Sequence, residues 1–167
     1  NLDVLRLLGA SDGLVVAQDF TEYAEMASKT GIYGEVKSVI DKGRSKGVLN
    51  ASQGGDLYQT AVPKISSDKS TLGAAEADAQ KAANGKIAAA TGDAYLGYGD
   101  YAKAATMFEL AKQKGSVDAD EVNTRLGIAK TLGGDMAGAK AAFEAVQSGA
   151  RKQIAALWLA YLGTKGA

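Results

Sequence analysis

The stretch TGDAYLGYGDYAKAATMFELAKQKGSVDADEVNTRLGIAKTLGGDMAGAKAAFEAVQ, Thr91 to Gln147, decides the fold because it states one pattern twice. Gly99-Asp100-Tyr101, then Ala104, Phe108 and Ala111, return as Gly134-Asp135-Met136, then Ala139, Phe143 and Val146, each 35 positions later. Each copy reads as helix, tight turn, helix. Ala94, Tyr95 and Tyr98 precede the first turn, and Leu126, Ala129 and Leu132 precede the second, at spacings that share a helical face. Gly99 and Gly134 suit the left-handed residue that ends a helix. Asp100 and Asp135 follow, with carboxylates able to accept from the open N–H groups of the next helix. Ala104, Phe108 and Ala111 recur at steps of four and three. Small Ala lets the helices approach, and Phe fills the wider gap behind it.

A period of 34 or 35 residues built from helical hairpins signals a stacked solenoid. The stretch resembles the tetratricopeptide repeat (TPR) family. The turn stands as Gly99-Asp100-Tyr101, the Ala–aromatic–Ala series as Ala104, Phe108 and Ala111, and the small residue of the first helix as Gly92 and Gly127. Two departures are visible: Ala88 and Asn123 stand where the family has Trp, and no Pro closes either repeat. The resemblance implies an all-α, right-handed α-solenoid of TPR-like repeats, and a function in binding other proteins.

Working outward, residues 85–119 and 120–149 form the two well-matched repeats of a single domain spanning 1–167. Asp118 with Glu121 caps the second. Gly31-Ile32-Tyr33, then Val36, Ile40 and Gly43, repeats the pattern upstream and defines a diverged unit over 17–50. Lys42, Arg44 and Lys46 end its second helix, as cations suited to a helix C-terminus. Gly31 and Gly99 are 68 positions apart, twice 34, so a degenerate hairpin is expected over 51–84. Its turn should fall near Ile65, among Pro63, Ser66, Ser67 and Asp68. Residues 1–16 read as partial upstream helices, the short apolar Leu2–Leu8 run being the last piece of a lost repeat. Ser11 or Asp12 is placed to cap the helix that follows. Residues 150–167, with Ile154, Leu157, Trp158 and Tyr161, read as a C-terminal capping helix. The alternative for that helix is a homodimer contact, so the expected state is monomer or weak homodimer.

Composition narrows the function. Lys+Arg and Asp+Glu are 19 each, so no net field draws nucleic acid or an anionic membrane. His and Cys are both absent, which removes the commonest general base, the commonest metal ligand and all thiol chemistry. No apolar run reaches the length of a membrane span. The chain starts at Asn1 without a visible leader and looks like a fragment or processed form, so periplasm and cytoplasm both remain open.

Some motifs point elsewhere. Gly97-Tyr98-Gly99-Asp100-Tyr101-Ala102 fits a loose dinucleotide fingerprint, which needs a preceding strand, whereas a helix is expected here. Asp118, Asp120 and Asn123 lack calcium-loop spacing and read as caps. Asn50-Ala51-Ser52 is a formal glycosylation sequon. Glu22 and Glu25 share a helix face without a pocket to desolvate either. No nucleophile–base pair assembles, so no catalytic, cofactor or metal site is expected.

If the TPR resemblance holds, first helices line a concave groove. By helical phase the lining comprises Lys86, Ala89, Asp93, Leu96, Glu121, Thr124, Arg125 and Ile128, with Gln18, Thr21 and Glu25 upstream. Arg125 matches one basic position of the family's carboxylate clamp, but Ala89 and Asp93 stand where Lys and Asn are needed. The expected function is a non-catalytic protein–protein interaction scaffold holding a peptide or protein segment. The alternative is a self-associating structural subunit of a larger assembly.

Overall fold

A computed structural model describes residues 1–165, and among these the regular structure is helical. The helices are α1 (Leu2–Ala10), α2 (Ala17–Lys29), α3 (Tyr33–Ser45), α4 (Gly55–Lys81), α5 (Lys86–Gly97), α6 (Tyr101–Lys114), α7 (Ala119–Leu132), α8 (Met136–Glu144) and α9 (Gly149–Lys165). None of the described helices is long and apolar enough to cross a membrane. The chain divides into two compact units, Asn1–Thr71 and Leu72–Ala167. The division falls inside α4.

In the first unit α2 pairs with α3, and α1 packs on α2. The α2–α3 turn follows the expected chemistry: Gly31 takes φ 74°, and Ile32 N–H donates to the Ala27 carbonyl. Phe20, Tyr23, Ala24 and Ala27 of α2 bury against Val36, Val39 and Ile40 of α3, with Leu14, Leu49 and Ala61 in the same core. The capping of α2 differs from expectation. Its N-cap is Val16, and the Asp19 carboxylate reaches back to the Val15 and Val16 N–H groups at 2.8 and 3.0 Å. Asp12 instead pairs with Lys46 at 2.9 Å and Lys42 at 3.3 Å, while Lys42 also donates to the Gly9 carbonyl. Arg44 donates to the Ala51 carbonyl and lies over the Tyr58 ring. The cations at the end of α3 thus hold neighbouring segments.

A buried ion cluster joins α1, α2 and α3. Arg6 makes a two-pronged contact with Glu35, Nε to Oε1 at 2.8 Å and Nη2 to Oε2 at 2.7 Å, and its Nη1 donates to Asp3 at 2.8 Å. The Tyr23 hydroxyl donates to Glu35 at 2.6 Å. Burial opposes the guanidinium charge, but Glu35, then Asp3, outweigh it and hold the Arg6 pKa raised.

The hairpin expected over 51–84 is absent: α4 runs unbroken through Pro63 and Ile65. The less exposed positions explain why. Leu57, Ala61, Ile65, Asp68, Leu72, Ala75 and Ala79 form one stripe at steps of three and four. Ser70 and Thr71 satisfy their hydroxyls on the carbonyls of Ser67 and Asp68 within the helix. Pro63, Ser66 and Ser67 sit on the exposed surface of the helix, and Asp68 falls in the stripe. Pro63 costs α4 the hydrogen bond its N–H would have made, without ending it.

In the second unit α5 packs on α6, α6 on α7, α7 on α8, and both α7 and α8 on α9, while α5 also touches α7. The two turns are near-copies. Gly99 and Gly134 take φ 76° and 88°. Asp100 and Asp135 accept from the N–H groups of Lys103 and Gly138. Asp100 and Asp135 N–H groups donate back to the Tyr95 and Lys130 carbonyls. The interiors repeat as well. A Cβ at Gly92 would lie 2.8–3.0 Å from three ring atoms of Phe108, and one at Gly127 would lie 2.5–2.7 Å from the same three atoms of Phe143. Each Phe therefore occupies the space its glycine leaves. Trp158 of α9 is fully buried and stacks on Phe143 with centroids 5.8 Å apart. The capping helix expected to reach 167 is described only to Lys165, and its last two residues lie outside the described residues.

Candidate functional site

Lys86 stands in the first turn of α5 and Ala89 nearly one turn on. Glu121 and Arg125 occupy adjacent turns of α7, whose start is fixed by Asp118 accepting from the Glu121 N–H at 2.9 Å. The link from α6 to α7 passes over Ser116 and Val117, allowed by Gly115 at φ 69°. These residues, with Phe108 and Val122, enclose a cleft of about 500 Å³. Its floor is apolar (Ala89, Phe108, Val117, Val122) and its rim carries four charged side chains (Lys86, Asp118, Glu121, Arg125).

Along one edge the charges are tied together across three helices. Arg125 Nη1 meets Asp93 Oδ2 of α5 at 2.6 Å, and Arg125 Nη2 meets Glu121 Oε1 at 2.5 Å. The same Glu121 oxygen receives Arg151 Nη2 of α9 at 3.0 Å. All four side chains are partly buried, where ion pairs are less screened than at an open surface. This ladder links α5, α7 and α9.

Of the eight residues expected to line a groove, Lys86, Ala89, Glu121 and Arg125 share the cleft. Asp93 stands beside it through its pair with Arg125. Leu96, Thr124 and Ile128 are 5%, 0% and 0% exposed and belong to the core, which corrects that part of the expectation. For Thr124 and Ile128 the physical reason is that α7 packs against α5, α6, α8 and α9, so a wider arc of it is buried than in a helix facing one partner; Leu96 lies near the end of α5, which packs on both α6 and α7. Gln18, Thr21 and Glu25 lie on α2, in the first unit, at exposed or half-buried positions. Phe108, Ser116, Val117, Asp118 and Val122 were not expected in the site. A signal for the linker existed: Gly115 and the Asp118 cap bring the chain back directly onto the start of α7.

Three further groupings bear on chemistry. Glu76 accepts from the Tyr95 hydroxyl and from Lys103, whose amine lies over the Tyr95 ring. The pKa of Lys103 is raised, chiefly by Glu76, that of Glu76 is lowered, chiefly by Tyr95, and that of Tyr95 is raised, chiefly by burial. All three move away from neutrality, the opposite of what proton transfer near pH 7 needs. Asp120 accepts from Gln147 N–H at 2.8 Å, Ser148 N–H at 3.1 Å and Ser148 Oγ at 3.0 Å, so it ties the start of α7 to the α8–α9 link. Asn50 likewise accepts from Ser52 and Gln53, which places the sequon in a local turn. Among the described residues, no group of three or more acidic side chains is placed to hold a metal ion.

Compared with protein-family models, with curated protein sequences and with solved structures, the chain matches none.

Proposed function

We propose that the chain is a non-catalytic interaction scaffold whose second unit holds a segment of a partner protein in the cleft between α5 and α7. In this reading α5–α6 and α7–α8 are TPR-like repeats stacked as a right-handed solenoid, and α9 caps them. The observation that carries it is the meeting of Lys86, Ala89, Glu121 and Arg125, from the first helices of consecutive hairpins, around one apolar-floored cleft. A cleft with an apolar floor and a few charged groups at its rim suits a side chain anchored by burial and oriented by its neighbours. The duplicated Gly–Phe packing supports the repeat reading, since the same interior contact recurs at the same spacing.

The test is amide chemical-shift mapping with peptides enriched from a displayed random nonapeptide library. Shifts concentrated at Ala89, Val117 and Val122 support the proposal. Shifts confined to other surfaces, or a library from which nothing is enriched, reject it.

A second reading, a self-associating structural subunit, is favoured by one feature. Leu157 of α9 is 51% exposed on the last helix of the unit. Light scattering over a concentration series decides it. A mass that rises with concentration in the wild type and not in Leu157→Lys supports self-association, and a constant mass removes it.

A further inference from the structure

The charges around the cleft say which segment it selects, an inference that rests on the peptide-binding reading above. Arg125 and Glu121 are committed, to Asp93 and each other and to Arg151. Among the described residues lining the cleft, Lys86 and Asp118 are the charged side chains without an ion pair. Lys86 is exposed in the first turn of α5, and Asp118 is exposed where the α6–α7 link meets α7, its carboxylate engaged only in accepting the Glu121 N–H. The lining thus carries one uncompensated charge of each sign, on two different segments, beside the apolar side chains of Ala89, Phe108, Val117 and Val122.

We infer that the cleft selects a partner segment in which an uncharged apolar side chain is flanked by an acidic residue on one side and a basic residue on the other. The apolar side chain fills the space over Phe108, Val117 and Val122. The acidic neighbour meets Lys86 and the basic neighbour meets Asp118. Because the two rim charges oppose each other, they fix the direction in which the segment lies, and the reversed order places like charges together. The complementary charges set orientation, and burial of the anchor supplies most of the affinity. A purely acidic segment is disfavoured, since the uncompensated Asp118 repels it.

Two substitutions test this without touching the core. Lys86→Glu reverses an exposed charge at a helix start, where an acidic residue is well tolerated. Asp118→Asn removes the charge and keeps a side chain able to cap α7. A random nonapeptide library is panned against the wild type and each variant, and the Kd of the best wild-type peptide is measured by titration. The wild type enriches an apolar anchor with an acidic neighbour on one side and a basic neighbour on the other. Lys86→Glu loses the acidic preference alone and weakens that peptide by up to about 5-fold, the upper range for losing one exposed pair. Asp118→Asn loses the basic preference alone. Peptides that map to the cleft with charged neighbours unchanged by both variants overturn the inference and leave the peptide-binding reading standing. Peptides that map elsewhere, or none at all, overturn both.

Discussion

The contact between Gly127 and Phe143 makes a sharp claim about one methyl group. In Gly127→Ala the new Cβ would stand 2.5–2.7 Å from three ring atoms of Phe143, closer than carbon atoms pack. The ring is held from behind, because it is 1% exposed and stacked on Trp158. Overpacking of this kind costs about 1–3 kcal/mol. Ala in a helix interior returns about 0.8–1 kcal/mol through propensity. The net expectation is a loss of about 1 kcal/mol. Gly163→Ala in α9 is the control, since nothing lies within 4 Å of a Cβ there. It keeps only the propensity gain, up to about 1 kcal/mol. The same chemical change at two helical glycines should therefore differ by about 1–2 kcal/mol, up to some 30-fold in the unfolding equilibrium. Trp158, the only Trp in the chain, reports the second unit directly, so urea titration followed by its fluorescence is the assay. The double variant Gly127→Ala/Phe143→Leu should be more stable than the two single losses add up to, because the smaller side chain makes room. Equal stability of Gly127→Ala and Gly163→Ala, or strict additivity in the double variant, would refute the claim that Phe143 occupies the missing Cβ position.

Three other expectations follow from particular contacts. Arg6→Met leaves the Asp3 and Glu35 carboxylates buried without their cation and should cost about 3–5 kcal/mol, whereas Asp3→Leu/Arg6→Met/Glu35→Met should recover most of it, as thermal unfolding by circular dichroism will show. The Asp120 pKa is lowered from its ordinary 3.8, chiefly by the Gln147 N–H. Its contribution is therefore complete above that ordinary value and is lost as pH falls through the lower folded one, so Asp120→Asn should flatten the acid limb of stability below pH 4 and leave its shape near neutrality unchanged. Pro63→Ala should restore a helix N–H donor in α4 and raise its stability by up to about 3 kcal/mol, read as a gain in helical ellipticity that persists to higher temperature.

The sequence made the second unit legible because its signals are local. Gly99 and Gly134 need positive φ, Asp100 and Asp135 cap at once, and Gly92 and Gly127 make room for Phe108 and Phe143; each requirement shows as a residue type at a fixed offset. The reading of α4 failed where two local signals competed. Pro63, Ser66, Ser67 and Asp68 are turn formers by composition, yet the stripe from Leu57 through Ile65 and Leu72 to Ala79 carries a helical period straight through them, and an expected repeat length gave the composition undue weight. The groove was half legible for a related reason. Helical phase places Lys86, Ala89, Glu121 and Arg125 on one side, but how many neighbours surround a helix is a tertiary fact, and it put Thr124 and Ile128 of α7, and Leu96 of α5, inside. The pairing of Asp93 with Arg125 was likewise hidden, since a residue read as ligand-binding and one read as its neighbour's partner look alike in one dimension.

Each Gly–Phe contact in the second unit closes within its own hairpin, Gly92 with Phe108 and Gly127 with Phe143. What passes from hairpin to hairpin is a different set of contacts, carried by Arg125 and Glu121 and by Asp120 at the following link. Phe143 serves both, since it also stacks on Trp158 of α9, whereas the ion pairs serve only the neighbour contacts. In the proposed repeat reading, a further copy of α5–α6 would bring its Gly–Phe contact complete and would have only the contacts to its neighbours left to match.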